Sequence, residues 1–436
     1  MLLGPWSAAI DGWTGLPEWF RSLLLALTAL LVANLINRAI DGWSYRRRGL
    51  DPWRPAPQGL PPRTWWDQIP LLGWWRLRRE ADHFQSRFWL RAMAIEILFP
   101  SGIVWLYWFE VRGGLDAAVG PAASAADGHA QFLLHFVLVG LMTIATFIDF
   151  DEQTIPDEVT LGGTAIGLLL LALVPIATLP TTVMVGWNPI RAHVVFTTSN
   201  HDLGWRDGLG GPASWPGWLD ETAGLWLALG CLAGWYVAAV PKIWTMRKGL
   251  RWAVRFAWGS IRKYRTWRFP TLLLLIMAST TGAAWAWGGA VWEAVFSGIV
   301  GMIAVGAGTW GIRLVASGAL RVEALGFGDV TLMAMIGTML GWQAGLLVFF
   351  FAPAAALVVA LLQWLLTGNR EIAFGPYLCL AALGLIVAWR RVWFGWAEPI
   401  FSMGWVLPII VACSLLLLGA MLLGWRWVKE SWLELS

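Results

Sequence analysis

The chain has 436 residues, 58% of them hydrophobic and only 13% charged, with a net charge of +4 and a mean hydropathy of +0.61. Soluble proteins are about 25% charged, so the polar surface here is too small to coat water-facing domains of this size. Disordered, collagen-like and disulfide-scaffold classes are excluded too, and the 35 tryptophans suit a protein with long membrane–water boundaries.

Apolar runs of about 20 residues, long enough to cross a bilayer, fall near 22–40, 92–110, 131–148, 160–182, 222–241, 270–288, 291–317, 345–366, 376–393 and 404–425. A shorter run, 330–343, follows Gly328-Asp329 and makes an eleventh pass. The expected fold is all-α, a polytopic transmembrane bundle. No cleavable signal peptide is evident, because the first basic residue is Arg21 and a positive leading region is missing.

Lys and Arg set the orientation. Segment 41–91 holds ten arginines, and 242–269 holds nine basic residues and no acidic one, so both are placed in the cytoplasm. Segment 111–130 has only Arg112, and 183–220 has only Arg191 and Arg206; these are the outside loops. The N-terminus is then outside and the C-terminus cytoplasmic, although Arg390-Arg391 run against the bias. Asp149 and Asp329 fall on the same, cytoplasmic side.

The expected organisation is a first span in 1–40, a basic loop 41–91 and core spans 92–182 carrying Asp149. An inserted outside loop and helical hairpin follow in 183–288. Core spans 289–393 carry Asp329, and 394–436 is an extra span and tail. The three cysteines (Cys231, Cys379, Cys413) lie in apolar stretches without a C-x-x-C pair, and read as small buried hydrophobes. No metal site is implied. The five histidines show no ligand spacing, and His135, inside a span, is expected to be hydrogen-bonded within the bundle. The basic face of 242–269 (Arg247, Lys248, Arg251, Arg255, Arg262) fits either an amphipathic helix on anionic lipid or a topology anchor, with no nucleic-acid role.

Two junctions carry chemistry. One reads Ile148-Asp149-Phe150-Asp151-Glu152-Gln153-Thr154-Ile155-Pro156-Asp157-Glu158, the other Glu323-Ala324-Leu325-Gly326-Phe327-Gly328-Asp329. Two aspartates brought together share one proton, because adjacent like charges cannot both ionise cheaply. One then takes a proton from water while the other polarises a peptide carbonyl. Gly326 and Gly328 leave room for a substrate backbone. Asp151, Glu152 and Glu158 read as solvated loop charges, and Pro156-Asp157 as helix-start chemistry with Asp157 as the cap.

These blocks resemble the signature pair of the type IV prepilin peptidases, the bacterial branch of the GxGD intramembrane aspartyl proteases. Ile148-Asp149-Phe150-Asp151 with Ile155-Pro156-Asp157 resembles the family's first aspartate motif. Gly326-Phe327-Gly328-Asp329 resembles the second, with Thr331 where lysine is usual, and Phe374-Gly375-Pro376-Tyr377-Leu378 resembles the block opening the last span. Weaker likenesses are Asn34-Leu35-Ile36-Asn37-Arg38, Asp67-Gln68-Ile69-Pro70-Leu71-Leu72-Gly73-Trp74, Ser86-Arg87-Phe88 and Met93-Ala94-Ile95-Glu96. Together they cover about 22–165, 291–345 and 370–393.

The resemblance implies a catalytic pair, Asp149 and Asp329. Asp151, Pro156, Asp157, Glu323, Gly326 and Gly328 would support it, and Phe374, Gly375 and Pro376 would meet substrate. It implies cleavage of the basic leader of type IV prepilins or pseudopilins at the cytoplasmic face of the bacterial inner membrane. Proteolysis needs no cofactor. Many members also N-methylate the new terminus with S-adenosylmethionine, and carry two C-x-x-C pairs around the D-N-I-P-L-L segment. Those cysteines are missing here, which puts methylation in doubt. The separation of the two aspartates is also longer than usual, but an even number of inserted spans preserves sidedness. The rival readings are an ion- or proton-coupled transporter, whose carboxylates would lie mid-span, a catalytically silent pilus or secretion assembly factor, and a protease with a non-pilin substrate.

Overall fold

The computed structural model describes residues 10–45, 52–56, 58–82, 84, 88–116, 125–185, 188–193, 215–240, 266–320, 325–367, 373–401 and 406–433, with positions 255, 259 and 263. Nine helices among the described residues are long and apolar enough to cross a membrane. The protein is an all-α polytopic bundle. It divides into two compact units, 1–114 with 122–159, and 115–121 with 160–436.

The first unit contains α1 (Glu18–Trp43), the short α2 (Leu72–Leu77), α3 (Phe88–Val111) and α4 (Ala125–Glu152). Helix α1 shows why these runs belong in lipid. Leu23, Leu27, Leu31 and Leu35, one helical stripe, are exposed, while Ala29, Ala33, Ile36 and Ile40 are buried with Asn34 and Asn37. Small and polar side chains face the neighbouring helices and leucine faces outward, as packing within hydrocarbon favours. Arg21 donates to the Tyr107 hydroxyl at one end of the α1–α3 pair, and Asn34 and Asn37 donate to Glu96 at the other, so the two helices run antiparallel. Helix α4 returns beside α3. The His135 Nδ1–Glu110 Oε1 bond (2.8 Å) joins them at one end and the Arg91–Asp151 ion pair (2.6 Å) at the other. His135 is thus bonded inside the bundle, as expected.

The second unit begins inside α5 (Asp157–Leu173), where the structure differs from the sequence expectation. The span expected over 160–182 is helical only to Leu173. Pro175 lacks the N–H needed to continue the helix, and the β-branched Thr181-Thr182-Val183 runs into a hairpin of β1 (Pro180–Val185) and antiparallel β2 (Asn188–His193). Asp157 is the first helical residue rather than the cap. Helices α6 (Thr222–Ala239) and α7 (Arg268–Trp287) form a hairpin, tied by Tyr236 and Thr271 side chains (2.9 Å). The basic stretch between them, 242–269, lies mostly outside the described residues.

Helix α8 (Gly289–Leu320) packs along α9 (Phe327–Thr367), and glycine decides their geometry. The expected passes 330–343 and 345–366 are legs of α9 joined without a loop, because Gly341 is non-helical at φ 87°, a conformation open to glycine. A methyl group at Gly337 would meet Val305 Cβ at 2.9 Å, and one at Gly345 would meet Val305 Cγ2 at 2.5 Å. Residues eight apart on an unbroken helix are about 12 Å apart along its axis. One valine reaches both only because the helix bends sharply at Gly341. The first leg, 327–340, is about 21 Å long, shorter than the roughly 30 Å hydrocarbon layer.

At the tightest α8–α9 approach, a Cβ on Gly301 would lie 2.0 Å from the Gly337 carbonyl oxygen. We expect Gly301→Ala to force the helices apart and destabilise the protein by about 1–3 kcal/mol or more. A thermal melt in detergent checks this against Gly308→Ala, where a methyl group meets nothing within 4 Å.

Helix α10 (Gly375–Val392) continues through a π turn (Trp393–Ala397) to Phe401. Trp389 and Trp393 stack (4.9 Å) and donate to the Pro180 carbonyl and the Thr181 hydroxyl. These bonds bring the end of α10, with Arg390 and Arg391, to the side of the β-hairpin. Helix α11 (Val406–Leu433) leans on α8, with Gly419 against Val315. Cys379 is buried and Cys231 half-buried, but Cys413 on α11 is exposed. The expectation of three buried thiols fails there because α11 presents an apolar surface to lipid rather than to protein.

Candidate active site at the two aspartate junctions

Helix α4 ends over the first junction. Ile148 and Asp149 are buried, whereas Phe150 is half-exposed. Gln153 adopts φ 54° and donates its N–H to the Asp149 carbonyl (2.9 Å), closing the helix with a left-handed residue. Only 153–156 separate α4 from α5, and Ile155 and Pro156 are buried. Residues two apart on a helix point in nearly opposite directions, so Asp149 and Asp151 have different surroundings.

Asp151 and Glu152 are not the loop charges expected from sequence, because α4 runs through both. Asp151 pairs with Arg91, whose guanidinium also lies 5.6 Å from the Phe147 ring centre, and Glu152 accepts the Tyr45 N–H (2.9 Å). Glu158 is exposed. A cavity of about 30 Å³ opens here, lined by Asn37, Asp41, Trp74, Arg91, Asp151 and Glu152 among others. It has room for about two waters.

The second junction is the start of α9. Asp329 is buried, sits in the first helical turn and accepts the Gly326 N–H through Oδ2 (3.2 Å). This is one half of a capping box, a third-position carboxylate reaching back to the capping residue. It fixes the carboxylate where the helix dipole favours negative charge. Arg313 of α8 donates to the Leu325 carbonyl (2.8 Å) and lies 5.7 Å from the Phe327 ring centre. Gly326 is exposed. Thr331 is fully buried and donates to the Gly328 carbonyl, so the position where lysine is usual faces protein. Glu323 lies outside the described residues.

The third block opens α10. Phe374 is its cap residue, Pro376 stands in the first turn where its missing N–H costs nothing, and Gly375 and Pro376 are buried. The two aspartates and the Phe374 block divide between the units, Asp149 in the first, Asp329 and Phe374–Pro376 in the second.

Three of the weaker sequence blocks converge on one residue. Glu96, buried in α3, accepts from Asn34 (3.1 Å), Asn37 (3.2 Å), the Trp74 indole (2.8 Å) and the Leu71 backbone N–H. Leu71 has φ 64° and ψ −57°, and Leu72 N–H reaches back to the Pro70 carbonyl, a strained γ-turn. Gly73 is required beside it, since a Cβ would fall 2.1 Å from the Asp67 carbonyl oxygen. Sequence reasoning placed these blocks in series and missed their meeting point. The signal was a glutamate about two turns inside an apolar span together with two asparagines on one face of α1.

The 60–80 segment is held by ions instead of metal-binding cysteines. Asp67 pairs with Arg76 (3.0 Å) and Arg79 (3.1 Å), and Arg63 with Glu80 (2.7 Å). Among the described residues no group of three His, Cys, Asp or Glu side chains is placed to hold a metal. Burial raises the Asp67 pKa, but the Thr64 N–H, Arg76, the Thr64 hydroxyl and Arg79 together bring it below the ordinary 3.8. A depressed pKa contributes stability above the unfolded value and loses it as pH falls through the folded value. We expect this segment to resist limited proteolysis at neutral pH, with or without a chelator, and to open below about pH 3.8. Asp67→Asn should open it at neutral pH.

Comparison with known proteins adds one relative. Over 111 residues, 24% of this chain and 36% of the other, the sequence is 33% identical to the prepilin leader peptidase/N-methyltransferase of Dickeya chrysanthemi. That likeness points to the prepilin peptidases. The chain spans only about a third of that relative's length. No family model matches the chain, and no solved structure matches it.

Proposed function

We propose that this protein is a membrane-embedded aspartic endopeptidase that removes the basic leader of type IV prepilins or pseudopilins. The observation that carries the reading is the placement of two buried carboxylates at helix ends, Asp149 in the last turn of α4 and Asp329 in the first turn of α9, in a chain locally similar to a prepilin leader peptidase. Four helices, α5 to α8, separate them in sequence, and three of these are among the nine described helices long enough to cross a membrane; the proposal takes the 17-residue α5 as the fourth pass, so that the chain returns to the face it left.

In this proposal the two carboxylates share one proton. The ionised one draws a proton from water as the oxygen attacks the scissile carbonyl, and the protonated one hydrogen-bonds the carbonyl oxygen as negative charge builds on it. Collapse of the tetrahedral intermediate passes a proton to the leaving amine. The pair titrates as a unit. Gly326 and Gly328 admit the substrate backbone, Asp151 with Arg91 fixes the end of α4, and Pro156 and Asp157 set the start of α5. Glu323 belongs to the second junction, and Phe374, Gly375 and Pro376 form a wall for the substrate's apolar helix. The site works at the cytoplasmic face of the inner membrane without metal or cofactor. S-adenosylmethionine has no part in the cleavage.

A transporter would carry its carboxylates near mid-span, whereas Asp149 and Asp329 occupy helix ends. The test is incubation of purified protein in phospholipid vesicles with a synthetic prepilin bearing a Lys/Arg-rich leader, Gly and an apolar helix. Release of the leader at the glycine supports the reading; an intact substrate counts against it.

A further inference from the structure

The segment between α1 and α3 has two unlike faces. From 72 to 80, Gly73, Trp74, Leu77 and Glu80 are buried, with Trp74 and Leu77 packed on Ala92. Leu72, Trp75, Arg78 and Arg79 point the other way and are exposed. Trp65 and Trp66 stack on each other (3.8 Å) and are also exposed, Trp65 by 60%. The Arg78 guanidinium lies 4.1 Å over the Trp75 ring. Four apolar side chains, three of them tryptophan, thus stand outward on one short segment, next to cations.

The anchors on Glu96 fix the depth of this face. Leu71 and Trp74 bond to a carboxylate about two turns inside α3, and Asn34 and Asn37 meet it about two turns inside α1. The segment is therefore tied roughly 10 Å inside the helix ends, at the level of the bilayer surface rather than out in the cytoplasm. Charge points the same way. By sequence, segment 41–91 carries ten arginines against five acidic residues, and a net positive segment that exposes Trp matches an anionic headgroup layer.

We propose that Trp65, Trp66, Leu72, Trp75 and Arg78 form a docking face that inserts into the anionic headgroup layer of the bilayer in which the protein is embedded. The tryptophan rings sit at the boundary of the hydrocarbon, and the guanidinium meets lipid phosphate. This face is independent of the peptidase reading, and its residues are distinct in sequence from the basic 242–269 stretch.

The test uses the full chain with Cys231, Cys379 and Cys413 replaced by alanine and a single fluorescent label at Trp66→Cys or Trp75→Cys. It is reconstituted in phosphatidylcholine vesicles with or without phosphatidylglycerol. Headgroup-proximal nitroxide lipid should quench either label, and aqueous iodide should be largely excluded. Phosphatidylglycerol should strengthen the lipid contact, and Arg78→Glu should weaken that lipid preference roughly fivefold or more. A label reached freely by iodide and not by nitroxide lipid would overturn the proposal. So would a label shielded from both, which would mean that protein covers the face. A label at Leu416→Cys, on the exposed face of α11, reports correct insertion in every sample.

Discussion

Asp149→Asn and Asp329→Asn should each lower prepilin cleavage by roughly 10³-fold or more, while leaving the protein folded and in the membrane. Asparagine keeps the shape and one acceptor oxygen of aspartate. At 329 that oxygen can still accept the Gly326 N–H, so the start of α9 is preserved. What is lost is a group able to take up and give back a proton. Because the two act as one unit, the double variant should be hardly worse than either single one. Asp151→Asn should cost far less, since it weakens an ion pair with Arg91 whose side chains are 33% and 19% exposed, and partly exposed pairs contribute little. Asp157→Asn should also be mild. Single-turnover rates on a synthetic prepilin, with circular dichroism as a folding control, check the series. Full activity in either Asp149→Asn or Asp329→Asn would remove the dyad.

Glu96→Leu should be the most destabilising single change in the first unit. It leaves two asparagine amides, an indole N–H and the Leu71 backbone N–H without their common acceptor. Each buried group left unpaired costs about 1–3 kcal/mol, and four donors share this one acceptor. A domain's net stability is only about 5–15 kcal/mol, so a large part of it is at stake. The strained turn at Leu71 would also lose the bond that holds it. The expected result is a lowered melting temperature in detergent together with new protease sites between 67 and 80. An unchanged melting temperature would show that Glu96 does not hold the segment. Glu96→Gln should fall between, because an amide accepts with one atom but presents donors to donors with the other.

Most of the helices could be read from the sequence because hydrocarbon is their solvent. A run such as 22–40 or 270–288 has no other use for so many apolar residues, and the helices found cover these runs. The ends were less legible. The apolar character of 160–182 continues past Leu173, and only Pro175 marks where the helix stops, so by sequence the β-hairpin at 180–193 reads as span and loop. Gly341 lies in a stretch that is apolar on both sides, and the kink there goes with close packing against Val305, which no local pattern encodes. Asp149 and Asp329 were visible because a carboxylate at the edge of an apolar run stands out. The partners that shape their surroundings were not. Arg91 reaches Asp151 across 60 residues and Glu96 collects groups from three segments, contacts that exist only after the helices have packed.

The central claim is that Asp149 and Asp329 work as a pair, and thiol cross-linking tests it most directly. In a background without Cys231, Cys379 and Cys413, the variant Asp149→Cys/Asp329→Cys would be treated in native membranes with a mild oxidant or a short bifunctional thiol reagent. Protease cleavage at an engineered site in the 242–269 stretch would then separate the halves. If the two positions face each other, the halves remain joined until the link is reduced, and Phe150→Cys/Asp329→Cys joins poorly. Halves that separate under every oxidant and linker, in the presence and absence of prepilin, would contradict the pair and with it the aspartyl protease account.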